Sequence, residues 1–184
     1  MGRTTASIQP DHRAFIEAQR VFFVATAAPG ARINLSPKGM DSLRVLGPHQ
    51  VAWLNLTGSG NETAAHLRED PRMTLMFCSF EGDPLTLRLY GQARAIHTHD
   101  PDWATWTGLF PPIAGPRQVI LMDVDLVQTS CGYGTPLYAY QGERPRLGEW
   151  LEGKGEEGIR RYWRDKNRLS LDGRPTGILE EGAE

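Results

Sequence analysis

Apolar residues fall in short runs separated by turns bearing Gly and Pro, the spacing of strands and not of long helices. Pro10-Asp11 followed by Ala14, Phe15, Ile16 and Ala18 predicts a short opening helix with an acidic first turn. Strands are predicted over residues 21–27, 32–36, 43–46 and 50–57, broken by Pro29-Gly30, by Pro37-Lys38-Gly39 and by Gly47-Pro48. A Gly-rich stretch at 58–63 leads into a short helix to about residue 69. Strands at 73–80 and 85–97 flank a turn at 81–84. A helix carrying Trp103 and Trp106 starts at Asp100-Pro101-Asp102, and residues 119–127 form the last firm strand. Residues 143–168 read as helices of mixed charge, the signature of a solvated face.

The segment 85–97 alternates cleanly. Leu85, Leu87, Leu89, Gly91, Ala93 and Ala95 face one way, while Thr86, Arg88, Tyr90, Gln92 and Arg94 face the other. Gly91 marks a bulge or kink that lets so long a strand bend. Six or seven strands in close succession, with only short helices between them, predict a mainly β (α+β) fold built on a small antiparallel barrel. Residues 22–24, 51–54 and 73–80 are apolar on both faces, so they need a second cover, either the chain's own helices or a partner subunit. The expectation is a homodimer that buries the barrel's outer face.

The chain has 184 residues, within the range of one domain: a barrel core over about 12–130 and a helical C-terminal segment over about 143–168. Twenty basic against 22 acidic residues give a net charge of −2, which speaks against a nucleic-acid partner or an anionic membrane surface. No run approaches the roughly 20 apolar residues of a membrane span. Residues 1–9 lack the apolar stretch of a secretory leader, so the expected location is cytoplasmic. Cys78 and Cys131 alone cannot form a disulfide framework or a zinc knuckle.

Three stretches could carry chemistry. Residues 57–67 run strand, Gly-rich turn, helix; glycines admit a ligand close to the backbone, and a helix start favours phosphate. Thr57, Asn61 and Thr63 would add side-chain hydrogen bonds. The same residues also spell a capping box, Ser59 with Glu62, and spacing alone does not choose between the two readings. In the second stretch, alternation places Asn34 and Ser36 on one face, and Lys38 follows in a Pro-restricted turn, either holding an anionic group or standing free in solvent. The third is Arg88, on the polar face of the long strand, where it meets solvent, a ligand or a partner; its fork suits phosphate. His97 and His99 read as surface positions, so no metal site is expected, and Cys131 has no evident base partner.

Four ordered motifs, NLSPKG at 34–39, TGSGNETAAHL at 57–67, DPRMTLMF at 70–77 and LRLYG at 87–91, resemble the pyridoxamine 5'-phosphate oxidase-like flavoproteins. The resemblance covers roughly residues 12–130. It is strongest for the subgroup that also carries QTSCGY at 128–133, Lys166-Asn167 and Asp172-Gly173. It implies a homodimeric split β-barrel with FMN in clefts between the subunits, acting as an oxidoreductase on a small-molecule substrate that the sequence does not identify. It places Asn34, Ser36 and Lys38 along the flavin ring, Thr57, Asn61, Glu62 and Thr63 near the ribityl phosphate, and Thr86 or Arg88 near the ring's polar edge. It also implies that residues after Ser130 reach the partner's flavin, and it assigns no catalytic residue. Relatives that hold haem or deazaflavin, and a non-enzymatic dimeric binding module, are the alternatives. Two departures stand out. True pyridoxamine phosphate oxidases carry a basic pair where this chain has Glu62-Thr63, and their Arg-Leu-x-Pro segment is not reproduced by Arg168-Leu169-Ser170-Leu171. Pyridoxamine phosphate is therefore not the expected substrate.

Overall fold

The computed structural model describes residues 2–179. Eight strands are β1 (Arg3–Thr5), β2 (Phe22–Thr26), β3 (Asn34–Lys38), β4 (Leu43–Gly47), β5 (Gln50–Leu56), β6 (Arg72–Cys78), β7 (Thr86–His97) and β8 (Pro116–Ser130). Helices are α1 (Pro10–Ala18), α2 (Glu62–Leu67), α3 (Trp103–Thr107) and α4 (Arg146–Tyr162), the last running into a π-helical turn, Trp163–Asn167. All pairings are antiparallel, in the order β3-β2-β6-β7-β8-β5-β4, with β1 added alongside β8.

The sheet curls on itself. Three strands separate β2 from β5 in that order, yet the Phe22 and Trp53 rings meet edge-on at 6.3 Å. Phe22, Val24, Trp53, Leu75, Phe77, Leu87, Leu89, Ile120 and Met122 fill the enclosed core, and Ile16 of α1 adds to it. The alternation predicted for β7 is present, with Leu87, Leu89, Gly91 and Ala93 inward and Gln92 and Arg94 outward. At Gly91 the register slips. Tyr90 pairs with Leu126 but Gly91 with Val124, which leaves Asp125 of β8 as the extra residue of a bulge.

Two expectations are corrected and one strand is added. β3 does not end at Ser36; it continues through Pro37 to Lys38, because β3 is the outermost strand and a missing N–H there leaves no neighbouring strand short. Lys38 is therefore a strand residue, on the same face as Asn34 and Ser36. The last strand starts at Pro116, three residues before the position predicted, and runs to Ser130. β1 is not among the predicted strands, because its three residues carry no apolar alternation that a sequence reading could detect.

The cover of the doubly apolar strands is partly internal. Trp103 and Trp106 of α3, with Phe110, pack over Ala52 and Leu54 of β5 and Val119 and Leu121 of β8. Across the other strands two outward rows line up by register: Leu35, Ala25, Thr74, Tyr90 and Leu126, and beside it Pro37, Phe23, Met76, Arg88 and Gln128. Leu35 in the first row is 66% exposed.

Candidate functional site

A cleft of about 430 Å³ opens where the ends of β3 and β5, the 57–61 loop, the start of α2 and the start of β8 converge. That is within the usual size of a small-molecule site, about 300–1,000 Å³. Asn34, Ser36, Lys38, Thr57, Asn61, Glu62 and Thr63 all line it. Arg88 does not. It stands in the outward row across β7 and donates to Ser130 Oγ at 3.4 Å.

Several of these side chains are already committed to one another. Asn34 Nδ2 donates to Thr26 Oγ1 at 3.2 Å and to Thr63 Oγ1 at 3.1 Å, and Thr26 Oγ1 bonds His66 Nδ1 at 3.0 Å, so β3 is tied to α2 through a buried network. Thr57 Oγ1 donates to Gly115 O at 2.8 Å and accepts from Trp163 Nε1 at 2.8 Å. The Glu62 carboxylate accepts the Leu171 N–H at 3.0 and 3.1 Å. The capping reading of Ser59 and Glu62 is not what the structure forms: the N-cap of α2 is Asn61, and Glu62 spends its oxygens on the tail.

Arg117 is the residue that sequence reasoning missed. Only 3% exposed, it donates from Nη1 to Asn167 Oδ1 (2.9 Å) and Gly58 O (3.3 Å), and from Nη2 to Gly60 O (2.6 Å) and Asn55 Oδ1 (3.4 Å). Its Nε is buried without a partner, as is Asn61 Oδ1. Burial pushes the guanidinium down to about 10, although Tyr162 and Glu62 favour its charge. Lys38 is the second cation, its Nζ 5.1 Å from the centre of the Trp53 ring. Burial, then repulsion from Arg117, lowers it to about 8. Among the described residues no ion pair joins either cation to a carboxylate. The signal for Arg117 was a lone basic residue heading an apolar strand, lost because the strand was started at Val119.

The wall is completed by strained and borrowed pieces. Met40 and Asp41, with φ of 62° and 51°, turn the chain from β3 into β4, and Met40 faces the cleft. Leu147 of α4 forms part of the opposite side. None of the five histidines lines the cleft; His97 and His99 stack on each other at 5.2 Å.

Fold and site together define a mainly antiparallel split barrel with two cations, neither of them ion-paired among the described residues, turned toward one cleft. The sequence profile of pyridoxamine 5'-phosphate oxidase matches residues 8–131, and the chain belongs to that family. A pyridoxamine 5'-phosphate oxidase family protein of Aspergillus flavus, ustO, is 38% identical over 189 residues, which span 92% of this chain and 75% of the relative. Among solved structures, a variant of HupZ from Group A Streptococcus superposes with a TM-score of 0.53 at 18% identity, covering 67% of this chain and 99% of that one. A candidate pyridoxamine 5'-phosphate oxidase from Lactobacillus delbrueckii gives 0.52 at 17% identity, covering 67% and 94%. At such identities the two structures speak for the fold alone.

Proposed function

We propose that the chain is an FMN-binding flavoprotein and an oxidoreductase, with the flavin in the cleft between β3 and the 57–61 loop. The observation that carries this reading is electrostatic: Lys38 and Arg117 repel each other across one cavity, and among the described residues neither is ion-paired to a carboxylate, although Glu62 on the cleft wall favours the Arg117 charge. An anionic occupant removes that repulsion, and a phosphorylated cofactor is one. The unpartnered Arg117 Nε and Asn61 Oδ1 also fit a polar occupant. When bound, FMN supplies the hydride-accepting ring. This chain's residues then bind and orient it: Lys38, with Asn34 and Ser36 beside it on β3, holds positive charge at one side of the cleft, and Arg117 holds it at the other. Thr57, Glu62 and Thr63 shape the loop through their internal bonds. The absence of a cleft histidine favours flavin over haem as the occupant.

Titration tests the site. FMN affinity falls as pH rises through about 8, because the Lys38 ammonium is present below that value and lost above it. For one proton the slope is at most about tenfold per pH unit. Bound phosphate raises the Lys38 pKa, so the fall starts at about 8 and levels off only above the raised value. In the free protein the sign is opposite: Lys38 titrates lower folded than unfolded, so stability rises as pH goes from about 8 to 10.5. Lys38→Met removes the pH dependence; a pH-flat affinity in the parent protein places Lys38 away from the ligand.

The same reading includes a cytoplasmic homodimer whose seam is the outward face of β3, β2, β6, β7 and β8. There Arg88 would stand at the interface, along with residues after Ser130. Leu35, Phe23 and Met76 supply apolar area and Tyr90 bonds Gln128 at 3.1 Å. Leu35→Glu is expected to shift the mass in solution from two chains to one; a monomeric parent protein removes the dimer from the account. Among the described residues no helix is long and apolar enough to cross a membrane.

A further inference from the structure

The C-terminal segment grips the cleft loop almost residue by residue. Gly155, at φ 63° and ψ 173°, breaks α4 and redirects its second half into the π-helical turn. That turn buries Trp163 and Asn167 against the loop. Trp163 Nε1 holds Thr57 Oγ1 at 2.8 Å. Asn167 Nδ2 donates to Gly58 O at 3.0 Å while its Oδ1 accepts from Arg117 at 2.9 Å, so one fully buried amide couples loop to cation. The Asn167 carbonyl in turn accepts from Thr176 Oγ1 at 2.6 Å and from Asn61 Nδ2 at 3.4 Å. Leu171 N–H closes the set on Glu62.

Glu62 and Thr63 stand where the family resemblance expects a basic pair. A carboxylate and a hydroxyl supply no positive charge, and here Glu62 anchors the tail while Thr63 accepts from Asn34. Arg117 supplies it instead, from a strand about 55 residues further along the chain, and it bonds the carbonyls of Gly58 and Gly60. Drawing those carbonyls toward the guanidinium fixes the peptide planes of the loop.

We propose that residues 163–176 are a positioning clamp for the phosphate end of the cleft, with Asn167 at its centre holding Arg117 and the loop in the geometry that recognises a phosphomonoester dianion. Asn167 is a positioning residue, acting through Arg117 and Gly58. The clamp rests on the flavin reading for its ligand but not for its mechanics.

The test uses the full chain, Asn167→Ala and Trp163→Phe, with two readouts. The first is affinity for FMN against riboflavin, which lacks the phosphate, with inorganic phosphate as competitor. Asn167→Ala is expected to lose about tenfold in FMN affinity, the worth of a hydrogen bond to a charged group, while riboflavin stays within about twofold. Trp163→Phe keeps an aromatic side chain but loses the N–H and part of the buried indole, and moves the same way by about threefold. The second readout is hydrogen exchange at the ends of the loop, of the Thr57 amide, which donates to Gly115 O at 2.9 Å, and of the Leu171 amide held by Glu62, expected to be slow in the parent protein and faster in both variants while β6 is unchanged. Equal losses for both flavins, or unchanged loop exchange in both variants, overturn the clamp. Should the parent protein take up neither flavin, the flavin reading fails, and loop exchange alone then decides the clamp, faster supporting it and unchanged refuting it. If Asn167→Ala does not fold, Trp163→Phe carries both readouts.

Discussion

Arg117→Ala is expected to lower FMN affinity by roughly thirty- to hundredfold and to cost about 3 kcal/mol of stability. The affinity term follows from removing one of two cations facing the cleft, since a charge-assisted contact is worth roughly 1.5–3 kcal/mol. The stability term follows from what the guanidinium leaves behind: the Asn55 and Asn167 amide oxygens and the carbonyls of Gly58 and Gly60 all lose a donor. Each orphaned buried acceptor costs about 1–3 kcal/mol, but the cleft lies alongside and water can reach part of the set, so the full sum is not expected. Arg117→Lys separates the two terms. It keeps the charge but cannot span four acceptors with a fork, so stability falls nearly as far while FMN affinity falls less. Denaturant unfolding and FMN titration on the three proteins check this. Affinity unchanged in Arg117→Ala would show that the guanidinium is only a strut.

Gly91→Ala is the second large effect, on stability alone. A Cβ built there lies 1.9 Å from Asp123 O, 2.9 Å from its carbonyl carbon and 3.1 Å from Val124 Cα, all backbone atoms of β8. No rotamer change relieves a backbone clash; β7 and β8 must separate at the bulge, in the middle of the longest pairing of the sheet. The expected loss is about 3 kcal/mol, or roughly 6–12 °C in Tm for a chain of this length. Gly58→Ala is the control, because nothing lies within 4 Å of its Cβ position, and its Tm should stay close to that of the parent protein. A Gly91→Ala protein melting with the parent would mean the bulge at Asp125 can migrate along β8.

What the sequence disclosed is what periodicity records. The alternation of β7, the bulge at Gly91 and the doubly apolar stretches of β5 and β6 are local consequences of which side chains meet the core, and they led to an antiparallel barrel. The seven predicted residues that converge on the cleft do so because one short motif, 34–38, is β3 itself and the other, 57–63, follows directly on the end of β5. The rest depends on long-range partners. Pro37 looked like a strand terminator because its tolerance comes from β3 lying outermost, a fact of topology. Arg117 goes unmarked in the sequence because its acceptors come from Asn55, Gly58, Gly60 and Asn167, residues 50 to 62 positions away. Mixed charge over 143–168 concealed Trp163 and Asn167, which are buried, as are Leu151 and Ile159, on a segment whose charged side chains face mostly outward. The alternation of β7 puts Arg88 on its polar face and the resemblance sets Thr86 or Arg88 near the ring's polar edge; Arg88 stands in the outward row and does not line this cleft.

The central claim is that the two cations exist to hold a phosphorylated flavin. It is tested most directly by the visible absorption spectrum of the protein as purified, followed by mass identification of the group released on denaturation. The account predicts a yellow protein that releases FMN. A colourless protein that neither carries FMN nor quenches its fluorescence on titration, or one showing a haem Soret band in its place, would contradict it.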